Sequence, residues 1–243
     1  MPYAQQEIRE RGTALLVTLF AGRHWMLSRW FDALRRVRWP AQELILLAID
    51  DSHDDAFAWA LKAGLRAFAF NAVYTKSNMV PLDTRRPDAL NRRMAALYTI
   101  AQQRTPASAE FVWTVEDDVE VPPDALWLLR EDLRETPEAG VASGLVNDRE
   151  FRWPIAWEHV SVAPPRISNL RSVPAGSRAV GGTGFGCLLW HAEVWLEMGF
   201  RPELDGRPAY DWAASYDMQQ AGIAWLLDGR VVCRHWMTSE KSA

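Results

Sequence analysis

Phe111-Val-Trp-Thr-Val-Glu-Asp-Asp-Val-Glu-Val-Pro-Pro123 runs from apolar residues into three consecutive acids and stops at two prolines. β-Branched and aromatic residues suit a pleated, buried surface, so the apolar part predicts a buried strand. Its acids then sit at the strand's carboxyl end, where open α/β sheets bind ligands. Side chains alternate along a strand, which predicts Glu116 and Asp118 on one side and Asp117 on the other. Two neighbouring carboxylates repel each other, and a cation between them relieves the repulsion. Mg²⁺ and Mn²⁺ favour such oxygen ligands and keep positions open for phosphate oxygens. Taken alone, an acid cluster before a Pro-Pro turn reads as a solvated loop; the surrounding chain decides between the two.

Upstream, Ala14-Leu-Leu-Val-Thr-Leu-Phe20 is a continuous apolar run, the pattern of a parallel strand covered on both faces. Leu27, Trp30, Phe31, Leu34 and Val37 then follow helical spacing until Pro40. Residues 43–51 predict a second buried strand that also ends in acids. Asp54 and Asp55 lead a helix for which Gly64 is the expected C-terminal cap, and residues 67–73 predict a third strand. This strand–helix alternation calls for right-handed crossovers and a doubly wound sheet. Residues 75–87 lack periodicity and predict a surface loop. Asp88 is the expected cap of the next helix, whose apolar face is Leu90, Met94, Leu97 and Ala101, with Arg92 and Arg93 elsewhere on its surface. After the acid-tipped strand, Pro123 and Asp124 open a helix with Leu126, Leu129 and Leu133 inward.

The second half is less regular. Residues 139–146 predict a strand of small residues. Residues 147–179 are rich in Pro, Arg and Trp without a clear period, which predicts a lid or a poorly ordered excursion. The glycines of Val180-Gly-Gly-Thr-Gly-Phe-Gly-Cys-Leu-Leu-Trp190 precede a strand, so they are not a dinucleotide fingerprint. They mark either a bend or a close approach of backbone to ligand. Short helices are expected at 191–198 and 210–221, closed by Gly199 and Gly222. Strands are expected at 223–228 and 231–235, with a turn at Gly229.

A net charge of −4 over 243 residues offers no general attraction for nucleic acid or anionic membrane. No nucleic-acid partner is expected. No apolar run reaches the length of a membrane span, and the first residues lack the features of a signal peptide. Cys187 and Cys233 are too few for a disulfide framework and read as buried thiols in a reducing compartment, so the expected location is cytoplasmic. Thirteen tryptophans serve either a core or sugar-stacking surfaces, and composition does not separate the two.

Acids at the ends of the second and fourth strands, followed by a late helix opening with Asp211, resemble the inverting GT-A glycosyltransferases, in particular glycosyltransferase family 2. The resemblance runs from about Thr13 to His235. It implies one α/β domain over 1–243 of GT-A type: a Rossmann-like, doubly wound, mostly parallel central sheet with helices on both faces. The nucleotide-binding half would be about 13–122 and the acceptor-binding half about 123–243. The family's metal motif, D-x-D with a proline a few residues on, is matched by Glu116-Asp-Asp118-Val-Glu-Val-Pro122 with Glu in first place. That implies Asp118 as the firmer ligand for Mn²⁺ or Mg²⁺, Glu116 as the weaker one, and His235 as a third. The ends of the first two strands would hold the nucleotide through Thr18, Phe20, Ala21, Arg23, Asp50 and Asp51, with Arg92, Glu116 and Asp117 nearby.

The family's acidic pair before a helix is matched at Tyr210-Asp211, with Tyr where Glu is usual and Asp211 as the general base. Asp217 competes for that role, but six residues at about 100° each put it about 240° round the helix from Asp211. Gly182, Thr183 and Trp212 would meet the sugar or acceptor. The implied reaction moves a sugar from a UDP-, GDP- or dTDP-linked donor to a carbohydrate or other hydroxyl acceptor, with inversion, under lids at 75–87 and 147–179. A retaining glycosyltransferase, a sugar-phosphate nucleotidyltransferase and a silent nucleotide- or carbohydrate-binding protein are the alternatives. The nucleotidyltransferase would usually open with a Gly-rich basic loop after the first strand, and here that position is only Ala21-Gly-Arg-His.

Overall fold

The computed structural model describes residues 13–40, 43–68, 71–80, 86–148, 153–162 and 165–236. Strands and helices alternate through the first half: β1 (Ala14–Phe20), α1 (His24–Arg35), β2 (Leu44–Asp50), α2 (Asp55–Arg66), β3 (Asn71–Lys76), α3 (Pro87–Gln103) and β4 (Phe111–Val115). Every residue of β1 is buried, as a strand covered on both faces requires. Asp54 caps α2, its carboxylate accepting from the Ala56 and Phe57 N–H groups. The chain continues as β5 (Val119–Glu120), α4 (Ala125–Glu135), β6 (Ala139–Val146), β7 (Ala156–Val162), β8 (Pro165–Asn169), β9 (Ser177–Val180), β10 (Gly182–Thr183) and β11 (Cys187–His191). It closes with α5 (Ala192–Glu197), β12 (Glu203–Leu204), β13 (Arg207–Pro208), α6 (Tyr210–Gln220) and β14 (Ala224–His235).

Among the described residues the central sheet has the order β3-β2-β1-β4-β11-β6-β14-β5, with β9 also paired to β14. β3, β2, β1 and β4 are parallel to one another. β11 runs antiparallel between β4 and β6, and β14 lies parallel to β6, so β6 and β14 share the direction of the first four. The sheet is therefore mostly parallel. Its two faces bury separate cores. Trp30 of α1, Phe57 of α2 and Leu126 of α4 pack on Leu16, Leu46 and Trp113, while Leu97 of α3, Trp195 of α5 and Ala214 of α6 pack on Leu15, Leu47 and Val112. β1 is flanked by β2 on one side and β4 on the other, which makes the carboxyl ends of β1 and β4 the topological switch point.

Several sequence expectations shift. Gly64 lies inside α2 and does not cap it; a Cβ there would overlap the Phe31 ring, so glycine lets α2 close onto α1. Ala67 still donates to the Ala63 and Gly64 carbonyls, which delays the third strand from 67 to Asn71. Thr75 and Lys76 accordingly belong to β3 and not to a loop. Pro87 opens α3 and Asp88 falls in its first turn, with Arg86 in the cap position. The 147–179 region holds an antiparallel β7–β8 pair and β9, whose exposed alternate positions and bulge near His159 hide the strand period. Residues 81–85, 149–152 and 163–164 of the two expected lids lie outside the described residues. β14 runs through Gly229 as one strand with a bulge between Asp228 and Val232. A Cβ at Gly229 would overlap the Pro174 carbonyl, so close approach explains that glycine. The short helix expected at 191–198 spans only Ala192–Glu197.

Candidate active site

β4 ends at Val115 and the chain turns at once, with Val119 N–H donating to the Glu116 carbonyl at 3.1 Å. The turn leads into β5, which pairs antiparallel with the end of β14, placing Val119 opposite His235. Trp236 N–H donates to the Asp118 carbonyl at 2.9 Å and closes the join. Glu116, Asp118 and His235 thereby each present a ligand atom within 4.8 Å of the others.

The donor set fits a hard divalent cation with one borderline nitrogen, as Mn²⁺ accepts. His235 Nδ1 faces the Asn147 carbonyl at 3.2 Å; a carbonyl only accepts, so Nδ1 carries a hydrogen, and when the ring is neutral its lone pair is on Nε2. Nε2 is buried without a hydrogen-bond partner and lies 3.6 Å from Asp118 Oδ2. A carbonyl on one nitrogen and a bare second nitrogen aimed at carboxylates is the arrangement of a metal-ligating histidine. Electrostatics agree. Burial and then Asp118 push the Glu116 carboxyl up to about 7. Burial lowers the His235 value, yet Asp118 and Glu116 outweigh it and hold the imidazole above its ordinary range. The acids attract positive charge to this point.

Asp117, in the turn beyond β4 where strand alternation no longer applies, reaches toward the end of β1 and the start of α1. It accepts from Ala21 N–H at 2.9 Å and from the Arg23 guanidinium. Arg23 Nη2 also comes within 3.2 Å of Asp118 Oδ2. Burial, opposed by Arg23, leaves the Asp117 carboxyl raised to about 6. Beside these groups lies a cavity of about 220 Å³ with an apolar wall of Val17, Leu19 and Leu97. Asp51 and Arg93 line it further out; Arg93 Nε and Nη2 donate to Asp51 at 2.7 and 2.5 Å, and Nη1 donates to the Val80 carbonyl at 2.6 Å. Ser77 Oγ adds a third hydrogen bond to Asp51, at 2.5 Å.

Phe20, Ala21, Arg23, Asp51, Glu116, Asp117 and Asp118 all line this cavity. Thr18 does not: it is fully buried, and alternation gives the cavity face to its neighbours Val17 and Leu19. Asp50 is also fully buried, accepting from Ser52, Tyr74 and Lys76, and so secures the ends of β2 and β3. Arg92 pairs with Asp88 on the exposed side of α3 at 2.5 Å, and Arg93 takes the place expected of it. Arg93 falls three residues after Leu90 and four before Leu97, so the helical spacing of the apolar face points to it. Gly182 and Thr183 are buried under α6, where Gly182 packs on Ser215 and Trp157, and neither lines the cavity. Trp212 is half-buried and meets Trp157 edge to face at 6.2 Å.

Tyr210 and Tyr98 complete the cavity wall, their rings stacked at 6.0 Å. Tyr98 is a residue that sequence reasoning missed; it stands one turn beyond Met94 on α3. Asp211 follows in the first turn of α6, half-buried, accepting from Trp212 N–H at 2.9 Å. It is not among the cavity-lining residues. Burial raises its carboxyl to about 6. Asp217 is occupied by Arg201, whose Nε and Nη2 donate to it at 2.9 and 2.7 Å.

No family model matches the sequence, and no curated protein does. Among solved structures the chain is similar to the mannosyltransferase PcManGT from Pyrobaculum calidifontis, in complex with GDP-Man and Mn²⁺, with a TM-score of 0.66 and 12% identity over 98% of this chain and 64% of that one. It is also similar to TarS of S. aureus, with a TM-score of 0.61 and 12% identity over 92% of this chain and 60% of the other. The chain thus spans less than two thirds of the length of either. At such identity the likeness establishes the fold, a GT-A-like mixed α/β architecture with a large, mostly parallel sheet flanked by helices. No helix among the described residues is long and apolar enough to cross a membrane.

Proposed function

We propose that the chain is a metal-dependent glycosyltransferase that moves a sugar, with inversion, from a nucleotide-sugar donor to a hydroxyl acceptor. The observation that carries this reading is the Glu116–Asp118–His235 cluster at the switch point, beside a cavity of about 220 Å³ walled by Arg23, Asp51, Arg93 and Tyr210. The mannosyltransferase with the same fold, solved with GDP-Man and Mn²⁺, supports it. Mn²⁺ or Mg²⁺ held by Asp118, with Glu116 and His235, would supply Lewis-acid stabilisation of charge on a diphosphate leaving group.

The chain's own residues do the rest. The Val17, Leu19 and Leu97 wall takes the nucleoside, and Arg23 and Arg93 place positive charge beside the phosphates. Asp211 takes the proton of the acceptor hydroxyl as its oxygen bonds to the anomeric carbon and the bond to the diphosphate breaks. A carboxyl raised to about 6 is basic enough to assist yet mostly ionised at neutral pH. The donor base among UDP, GDP and dTDP is tested by melting the protein with Mn²⁺ and each diphosphate. Ligand that binds the folded state raises Tm by mass action. One of the three is expected to do so only with metal present; no shift from any of them overturns the proposal.

A further inference from the structure

Tyr98 on α3 and Tyr210 at the start of α6 line the same cavity as Glu116 and Asp118, and the residue after Tyr210 is Asp211. Packing clamps both rings. They stack on each other at 6.0 Å, and the Phe185 ring meets both edge to face, at 5.0 Å from Tyr98 and 5.3 Å from Tyr210. Asn91 Oδ1 accepts from Tyr210 N–H at 2.8 Å and ties α6 to α3. The hydroxyls, by contrast, are unused. Among the described residues neither phenol oxygen has a hydrogen-bond partner, and neither is sealed off from solvent, so both open on the cavity. Tyr98 is only 2% exposed, and a tyrosine buried to that degree ordinarily has its hydroxyl paired.

The charges around the cavity locate the two hydroxyls and limit what they would meet. Burial first, then Glu116 and Asp211, hold the Tyr98 phenol well above its ordinary range; burial with Tyr98, Glu116, Asp211 and Asp118 does the same for Tyr210. Both phenols therefore stand between the Glu116–Asp118 cluster and Asp211, and both stay protonated at neutral pH. The cationic residues that line the cavity are already committed, Arg23 to Asp117 and Arg93 to Asp51. A sugar carboxylate here would face like charge from Glu116, Asp118 and Asp211, whereas a sugar hydroxyl can accept from a phenol and donate to a carboxylate.

We propose that the paired phenols of Tyr98 and Tyr210 hold the transferred sugar, donating to its ring hydroxyls between Glu116 and Asp211, and that this sugar is a neutral one. The assignment rests on the transferase reading above.

The test is calorimetry with Mn²⁺ on the full chain, using UDP, GDP and dTDP beside UDP-glucose, UDP-N-acetylglucosamine, GDP-mannose and dTDP-glucose. For at least one pair, the affinity of the nucleotide sugar relative to its own diphosphate should fall about threefold to tenfold in Tyr98→Phe and in Tyr210→Phe, the worth of one neutral hydrogen bond. Phenylalanine keeps the ring and its stacking, and the hydroxyl it removes has no partner in the folded chain, so Tm without ligand should not fall. A ratio unmoved in both variants for every pair overturns the subsite. Tighter binding of UDP-glucuronate than of UDP-glucose by the parent overturns the neutral sugar. Either result is distinct from failure of the transferase reading, in which neither diphosphate nor nucleotide sugar binds with Mn²⁺, and which would take the subsite with it.

Discussion

Nε2 of His235 lies 3.6 Å from the carboxylate of Asp118, although the two residues belong to different halves of the chain. β5 and β14 hold them there: Val119 pairs with His235, and Trp236 N–H reaches back to the Asp118 carbonyl. Removing either side chain breaks the cluster differently. Asp118→Ala is expected to abolish the metal-dependent Tm shift and to reduce transfer by at least about 100-fold, the usual cost of losing one electrostatic contact to the leaving group. His235→Ala should weaken Mn²⁺ about tenfold or more, read by calorimetry. Wild-type Mn²⁺ affinity in either variant would remove that residue from the ligand set.

Asp211→Asn is expected to reduce transfer by about 10²–10⁴-fold while the Mn²⁺–diphosphate Tm shift persists. Because the base works only when ionised, wild-type transfer should rise with pH through about 6 and then level. The variant should lack that rise. Turnover retained in Asp211→Asn would show that another group accepts the proton.

Arg93 and Arg92 are neighbours in sequence with opposite environments. Arg93 and its partner Asp51 are 6% and 15% exposed as side chains, whereas Arg92 is 62% exposed against Asp88. Arg93→Met leaves the partly buried Asp51 carboxylate with only the Ser77 hydroxyl and no countercharge, and should destabilise the protein by about 3 kcal/mol. Arg92→Met should change stability by no more than about 1 kcal/mol. Denaturant titration of the two variants distinguishes them; equal losses would contradict the assignment of Arg93 to the cavity and Arg92 to the surface.

Asp132 on α4 and Asp228 on β14 are both buried and share Arg230, which donates to each at 2.8 and 2.9 Å. Burial and then Asp228 push the Asp132 carboxyl up to about 7 from its ordinary 3.8. The folded chain therefore holds a proton that the unfolded chain has released at intermediate pH. Asp132's stabilisation is full below about 3.8 and is lost as pH rises through about 7. Glu116, Asp117 and Asp211 are raised too and push stability the same way. Comparison with Asp132→Asn isolates the one group: its unfolding free energy should fall less between pH 5 and pH 8 than that of the parent. Superimposable profiles would show that Asp132 is ionised in the folded chain.

The sequence by itself determined what depends on residues close together in the chain. Buried runs specify β1, β2, β4 and β6, and they place the three acids at the carboxyl end of β4. Helical spacing also contained Arg93, since it shares a face with Leu90 and Leu97. Tertiary structure alone decided the rest. Gly64 looks like a cap until α1 places Phe31 against it. Nothing local says that β11 enters antiparallel between β4 and β6, or that β14 continues past Gly229 far enough for its last residue to pair with β5. Those pairings join segments distant in the chain, and they are selected because they bury both faces of one sheet and satisfy its backbone together. The acids at the end of β4 are written in the sequence; the histidine that completes their cluster arrives only when the sheet closes.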